Sequence, residues 1–94
     1  MARNEAGGER ESLALSLDPD AALPRKRSLT IAGHRTSITL EDAFWRELKA
    51  AAAKMDVSVT ALASAIDSVR GAASLSAAIR VFLLAKLRGA ISER

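Results

Sequence analysis

Arg35, Ser37 and Thr39 stand at every second position of HRTSITL, and Thr36, Ile38 and Leu40 interleave with them. Successive side chains of an extended strand point to opposite faces, so one face of this segment carries a guanidinium and two hydroxyls while the other is largely apolar. Such groups hydrogen-bond the edges of nucleic-acid bases, and arginine bidentate to guanine is the commonest specific contact in the major groove. An ordinary solvated strand has the same composition. What carries the strand therefore decides between the two readings.

Other chemistries find little material in this chain. His34 is the sole histidine and there is no cysteine, so a zinc site lacks ligands and disulfides are excluded. A hydroxyl nucleophile with a histidine base would have to be built around His34, and neither a glycine-rich phosphate loop nor a paired-carboxylate motif occurs. We expect no catalytic residue, no metal and no cofactor.

Charge is distributed unevenly. The first 24 residues hold two arginines against five carboxylates, a net −3, so with +3 overall the remainder carries +6. A basic folded part suits a polyanionic partner. Residues 1–26 mix Gly, Pro, acids and arginine without a sustained period and read as a flexible arm. Arg25, Lys26 and Arg27 close it, either as a solvated junction or as a basic contact for phosphate. The opening MARNEAGGERES has no apolar signal region, and no stretch approaches the roughly 18 uninterrupted apolar residues of a membrane span. A cytoplasmic protein without a membrane partner is expected.

Residues 27–92 form the expected folded domain, mainly α with a short β-ribbon. Leu29 and Ile31 are odd-numbered whereas Ile38 and Leu40 are even-numbered, so the alternation changes parity across Gly33. A type II′ turn at Gly33 and His34 would explain this, setting Ala32 opposite Arg35, Ile31 opposite Thr36 and Leu29 opposite Ile38. A bulge at Gly33 is the alternative. A helix follows from about Glu41, with Phe44, Leu48, Ala51 or Ala52 and Met55 on its apolar stripe and Glu41 and Asp42 favourable at its positive end.

Ser58 can cap a second helix whose stripe is Val59, Leu62, Ala63, Ile66 and Val69, and Gly71 can end it. Ser74 can cap a third, with Leu75, Ile79, Phe82, Leu83 and Leu87 inward. Val81 and Leu84 widen its apolar surface, which calls for two buried contacts. Trp45 lies off the main stripe and reads as a dimer contact. Arg80, Lys86 and Arg88 read as solvated charges. A domain this small buries a limited core, and with no metal or disulfide available self-association is the expected remedy.

Two copies of the second strand paired about a two-fold axis would bury both sets of Ile38 and Leu40 and present six polar side chains outward. The major groove admits a ribbon of that kind. With that geometry, the segment RTSITLEDAFWRELKAAAAKMDVSVTAL resembles the strand, first helix, turn and second-helix start of the ribbon-helix-helix DNA-binding proteins of bacteria and phages. The resemblance implies an intertwined homodimer that binds double-stranded DNA, here with a third helix. It implies base reading by Arg35, Ser37 and Thr39, and phosphate anchoring by the amides of Ser58, Val59 and Thr60 with Arg25, Lys26 and Arg27 nearby. Ile38, Leu40, Phe44, Leu48, Leu62 and Ile66 would form the dimer core.

Two departures from the family pattern matter. Residues 28–32 could add a strand, widening a dimeric ribbon to four strands or bringing Ser28 and Thr30 to the DNA. SLSAAIRVFLLAKLR also looks like the family's second helix, which would move the anchor to Ser74, Leu75 and Ser76. The function expected is a transcriptional repressor. The alternatives are an antitoxin, with a toxin enzyme as a further partner, and a protein-interaction module without DNA binding.

Overall fold

A computed structural model describes residues 13–92, so the first 12 residues of the expected arm lie outside the described residues. Residues 13–18 have no regular structure, and a single 3₁₀ turn, Asp20–Ala22, follows and lies against the first helix. The ribbon comprises β1 (Pro24–Ile31) and β2 (His34–Glu41), and three helices complete the chain: α1 (Asp42–Lys54), α2 (Val59–Val69) and α3 (Leu75–Ser92). β1 begins three residues earlier than the expected boundary, so Pro24, Arg25 and Lys26 belong to the ribbon and not to the arm.

β1 and β2 pair antiparallel within the one chain, with Arg27 opposite Ile38, Ser28 opposite Ser37 and Ile31 opposite His34. The turn is Ala32 and Gly33, at φ of 52° and 81°. This corrects the expected turn at Gly33 and His34. Two positive φ values at the centre define a type I′ turn, whose twist matches that of the flanking strands better than an ordinary turn would. Leu29 consequently faces Thr36 and not Ile38. The shift moves each strand by one residue, which preserves the parity of both faces, so the expected inner and outer sets survive.

The inner face supplies Leu29, Ile31, Ile38 and Leu40 to one core. α1 adds Leu48, Ala51 and Ala52, α2 adds Leu62, Ala63 and Ile66, and α3 adds Leu75, Ile79 and Leu83 at successive intervals of four. Small alanines on α1 and α2 let these elements approach closely, and Leu40, Leu48 and Ile79 are the largest side chains with essentially no exposure. Phe44, Trp45 and Phe82 pack against the edge of the core, half-buried. Three residues expected inward are exposed: Met55, Val69 and Leu87. Each stands at the trailing end of its apolar stripe.

Local signals account for the helix ends. The Ser58 hydroxyl accepts from the Ala61 amide at 2.9 Å, and the Ser74 hydroxyl accepts from that of Ala77 at 3.1 Å. At the end of α1 the amides of Asp56 and Val57 donate to the carbonyls of Ala53 and Ala52, with Asp56 at φ 59°. That is a Schellman ending with aspartate where glycine is usual. Gly71, at φ 63°, follows α2 as expected.

Candidate nucleic-acid interface

The strand period and the observed register place six polar side chains on the outer face of the ribbon. They form three cross-strand pairs: Lys26 with Thr39, Ser28 with Ser37, and Thr30 with Arg35. All six are exposed. Lys26 and Arg35 take part in no ion pair among the described residues. The face thus offers two cations and four hydroxyls, and none of the six is a carboxylate.

Along each strand the six side chains cover four residue steps, about 14 Å. That is close to the roughly 12 Å width of the DNA major groove.

The other basic residues of β1 sit differently. Arg25 and Arg27 share parity with Leu29 and Ile31, so they lie on the core side of the ribbon. Arg25 Nε donates to Asp42 at 3.0 Å, and an Arg27 guanidinium nitrogen donates to the other oxygen of the same carboxylate. Arg27 also donates to the Leu40 carbonyl at 3.4 Å, and its guanidinium carbon stands 5.0 Å from the centre of the Trp45 ring. Trp45 is therefore a stacking partner for Arg27 at the base of the ribbon. Of the three basic residues that close the expected arm, Lys26 alone belongs to the outer face.

Two carboxylates at the junction of β2 and α1 hold the ribbon to the helices. Hydrogen bonds from Arg27 first, and from Arg25, keep Asp42 below the ordinary aspartate range against the opposing effect of burial. Glu41 accepts from Arg80 of α3 at 3.1 Å. Its carboxyl is held low by a hydrogen bond at its own backbone and then by Arg80. Arg80, expected to be solvated, is thus a structural cation.

The start of α3 also reaches the ribbon, because the Ser76 hydroxyl donates to the Thr39 carbonyl at 2.8 Å. No described hydrogen bond joins Ser58, Val59 or Thr60 to the ribbon. Ser58 serves as the cap of α2. Phe44, Leu48, Leu62 and Ile66, expected at a dimer interface, pack with Ile38 and Leu40 in the core of one chain.

α3 presents a second surface. Val81, Leu84 and Leu87 are 65, 53 and 59 % exposed, and with Phe44 and Arg80 they line an open groove between α1 and α3. No helix among the described residues is long and apolar enough to cross a membrane, and no cluster of three metal-ligating side chains occurs among them.

Sequence reasoning missed Lys26 as a member of the outer face, the ties of Arg25 and Arg27 to Asp42, and that of Arg80 to Glu41. Parity was the available signal for the first, since Lys26, Ser28 and Thr30 alternate with Leu29 and Ile31. Nothing local signals an arginine 39 residues away from its carboxylate partner. No curated protein and no solved structure matches the chain. Residues 24–87, well over half of the chain and the whole of the ribbon with its three helices to near the end of α3, match a family model described as a ribbon-helix-helix domain.

Proposed function

The chain belongs to the ribbon-helix-helix family of DNA-binding regulators, and from that premise we propose that it is a sequence-specific transcriptional repressor that inserts its ribbon into the major groove. The observation that carries this reading is the outer face of the ribbon, which holds two uncommitted cations and four hydroxyls over about one groove width. Arg35 is the principal base reader, with Ser37 and Thr39 beside it. Phosphates are engaged by flanking groups, which position the ribbon without reading sequence.

The anchor is best placed at the start of α3. Ser74 caps the Ala77 amide, while the amides of Leu75 and Ser76 are engaged by no described hydrogen bond and adjoin β2 through the contact between Ser76 and Thr39. Helix N-terminal amides and the helix dipole favour a phosphate at such a position. Ser58, Val59 and Thr60 have no comparable tie to the ribbon.

The exposed apolar stripe of Val81, Leu84 and Leu87 supports a homodimer joined through α3, since so small a core benefits from further burial. Each copy then brings its own ribbon to the operator, and repression follows from occupancy.

The test is selection of a random duplex library at moderate salt, with Arg35→Ala alongside. Enrichment of a motif by the natural protein and its loss in the variant support the reading. A protein that retains no duplex even at low salt, where counterion release most favours binding, is not a DNA reader.

A further inference from the structure

Among the described residues β2 has a neighbouring strand on one side only, β1. Ile31 and His34 close a two-residue turn and so form a hydrogen-bonded pair, which directs the main-chain groups of Arg35, Ser37 and Thr39 away from β1. An edge of this kind is a template for another strand. The Thr39 carbonyl on it accepts from Ser76, and its second lone pair remains for a main-chain amide. A second copy in the proposed dimer therefore meets an open edge centred on Ser37, and antiparallel pairing there gives the strand order β1, β2, β2, β1.

Strand spacing then sorts the outer face. Strands lie about 4.8 Å apart, so the two β2 strands stand about 2.4 Å either side of the two-fold and the two β1 strands about 7.2 Å from it. Half the width of the major groove is about 6 Å. Side chains of β2 thus stand over the bases, and those of β1 stand over the groove walls, where the phosphates are. Sheet twist turns β1 further out of the plane of β2.

The residue types follow the same division. On β2 the outward cation is Arg35, whose planar fork suits guanine, whereas on β1 it is Lys26, a flexible point charge. Lys26 is exposed and takes part in no described ion pair, while Arg25 and Arg27, the other cations of β1, are held by Asp42. Ser28 and Thr30 add two exposed hydroxyls, which also donate to phosphate oxygens.

We propose that β1 is a phosphate clasp, in which Lys26, Ser28 and Thr30 of each copy hold the DNA backbone at the wall of the groove whose bases β2 reads. This rests on the proposed DNA-binding function and gives the first strand a contact separate from base reading.

Duplex selection, followed by ethylation interference on the enriched motif, tests it with the natural protein, Lys26→Ala, a Ser28→Ala and Thr30→Ala double variant, and Arg35→Ala. A denaturation curve on each confirms folding. Lys26→Ala should enrich the same motif as the natural protein, yet bind that motif and an unrelated duplex more weakly by a similar factor. Its slope of log affinity against log salt should become shallower by about one for each copy bound. The double variant should lose affinity without a change of slope, since hydroxyls carry no charge. Ethylated phosphates flanking the motif should block the natural protein, and Lys26→Ala should lose sensitivity to them. Arg35→Ala should instead relax the motif. If it does so while Lys26→Ala and the double variant leave affinity, slope and interference unchanged, the clasp is overturned and the DNA-binding function stands. A motif altered by Lys26→Ala would make Lys26 a base reader and overturn the clasp equally. A natural protein that retains no duplex would overturn both.

Discussion

The Ser76 hydroxyl donates to the Thr39 carbonyl at 2.8 Å, joining the first turn of α3 to the outer edge of β2. Thr39 thus directs its side chain to the outer face of the ribbon while its carbonyl holds the helix that carries the proposed phosphate anchor. The proposed reading element and the proposed anchor meet at this contact.

Ser76→Ala removes this tie without creating a buried cavity, because the contact is exposed. A net loss of about 1 kcal/mol is expected from one hydrogen bond, measured as a shift of the urea midpoint at unchanged slope. If Ser74 to Ser76 form the anchor, duplex affinity should fall by more than this stability loss accounts for.

Acid should loosen the ribbon from the helices. Asp42 and Glu41 are both held below their ordinary values in the folded protein, so their pairing stabilises the fold above the ordinary carboxylate range and is lost as pH falls through the depressed values. Stability should be flat above about pH 5 and decline below about pH 4. Asp42→Asn should flatten that acid limb in denaturation curves taken across the range, and an unaltered limb would deny Asp42 the role.

The turn is a site of stored strain. Ala32 holds φ 52°, a conformation that costs a residue with a Cβ roughly 1–2 kcal/mol. Ala32→Asn, giving the Asn-Gly pair that type I′ turns favour, should recover up to about 1 kcal/mol. Gly33→Ala should lose about as much, although a Cβ there meets nothing within 4 Å. Thermal midpoints of the two variants should move in opposite directions.

Leu84→Glu places a charge on the exposed apolar stripe of α3 without touching the core, since Leu84 is 53 % exposed. Sedimentation should report a dimer for the natural protein and a monomer for the variant, with the circular dichroism of the two alike. A natural protein that sediments as a monomer at micromolar concentration would remove the proposed role of α3.

Lys26→Ala and Arg35→Ala should each lower the slope of log affinity against log salt by up to about one where the side chain also neutralises a phosphate. Arg25→Ala should leave that slope nearly unchanged, because its guanidinium is committed to Asp42. A fall for Arg25→Ala equal to that for Lys26→Ala would show that the two faces of β1 are not distinguished by the DNA.

The strands, the three helices, their caps and most of the core were legible in the sequence, because periods of two and near four are local properties of the backbone. Alternation alone separated Arg35, Ser37 and Thr39 from Ile38 and Leu40, and the serines before α2 and α3 marked both helix starts. Register depends on where the turn falls, and there the choice of Ala32 and Gly33 moved the pairing by one residue on each strand.

The tertiary structure alone decided which cations are spent on holding the fold and which are left exposed. Arg25, Lys26 and Arg27 are one basic run in sequence, yet the pleat divides them, and the core-side pair finds Asp42 only because α1 folds back beneath the ribbon. Ion pairs between distant segments, the edge of β2 covered by Ser76, and the stripe of α3 that faces outward all depend on how elements pack together, which no local period encodes.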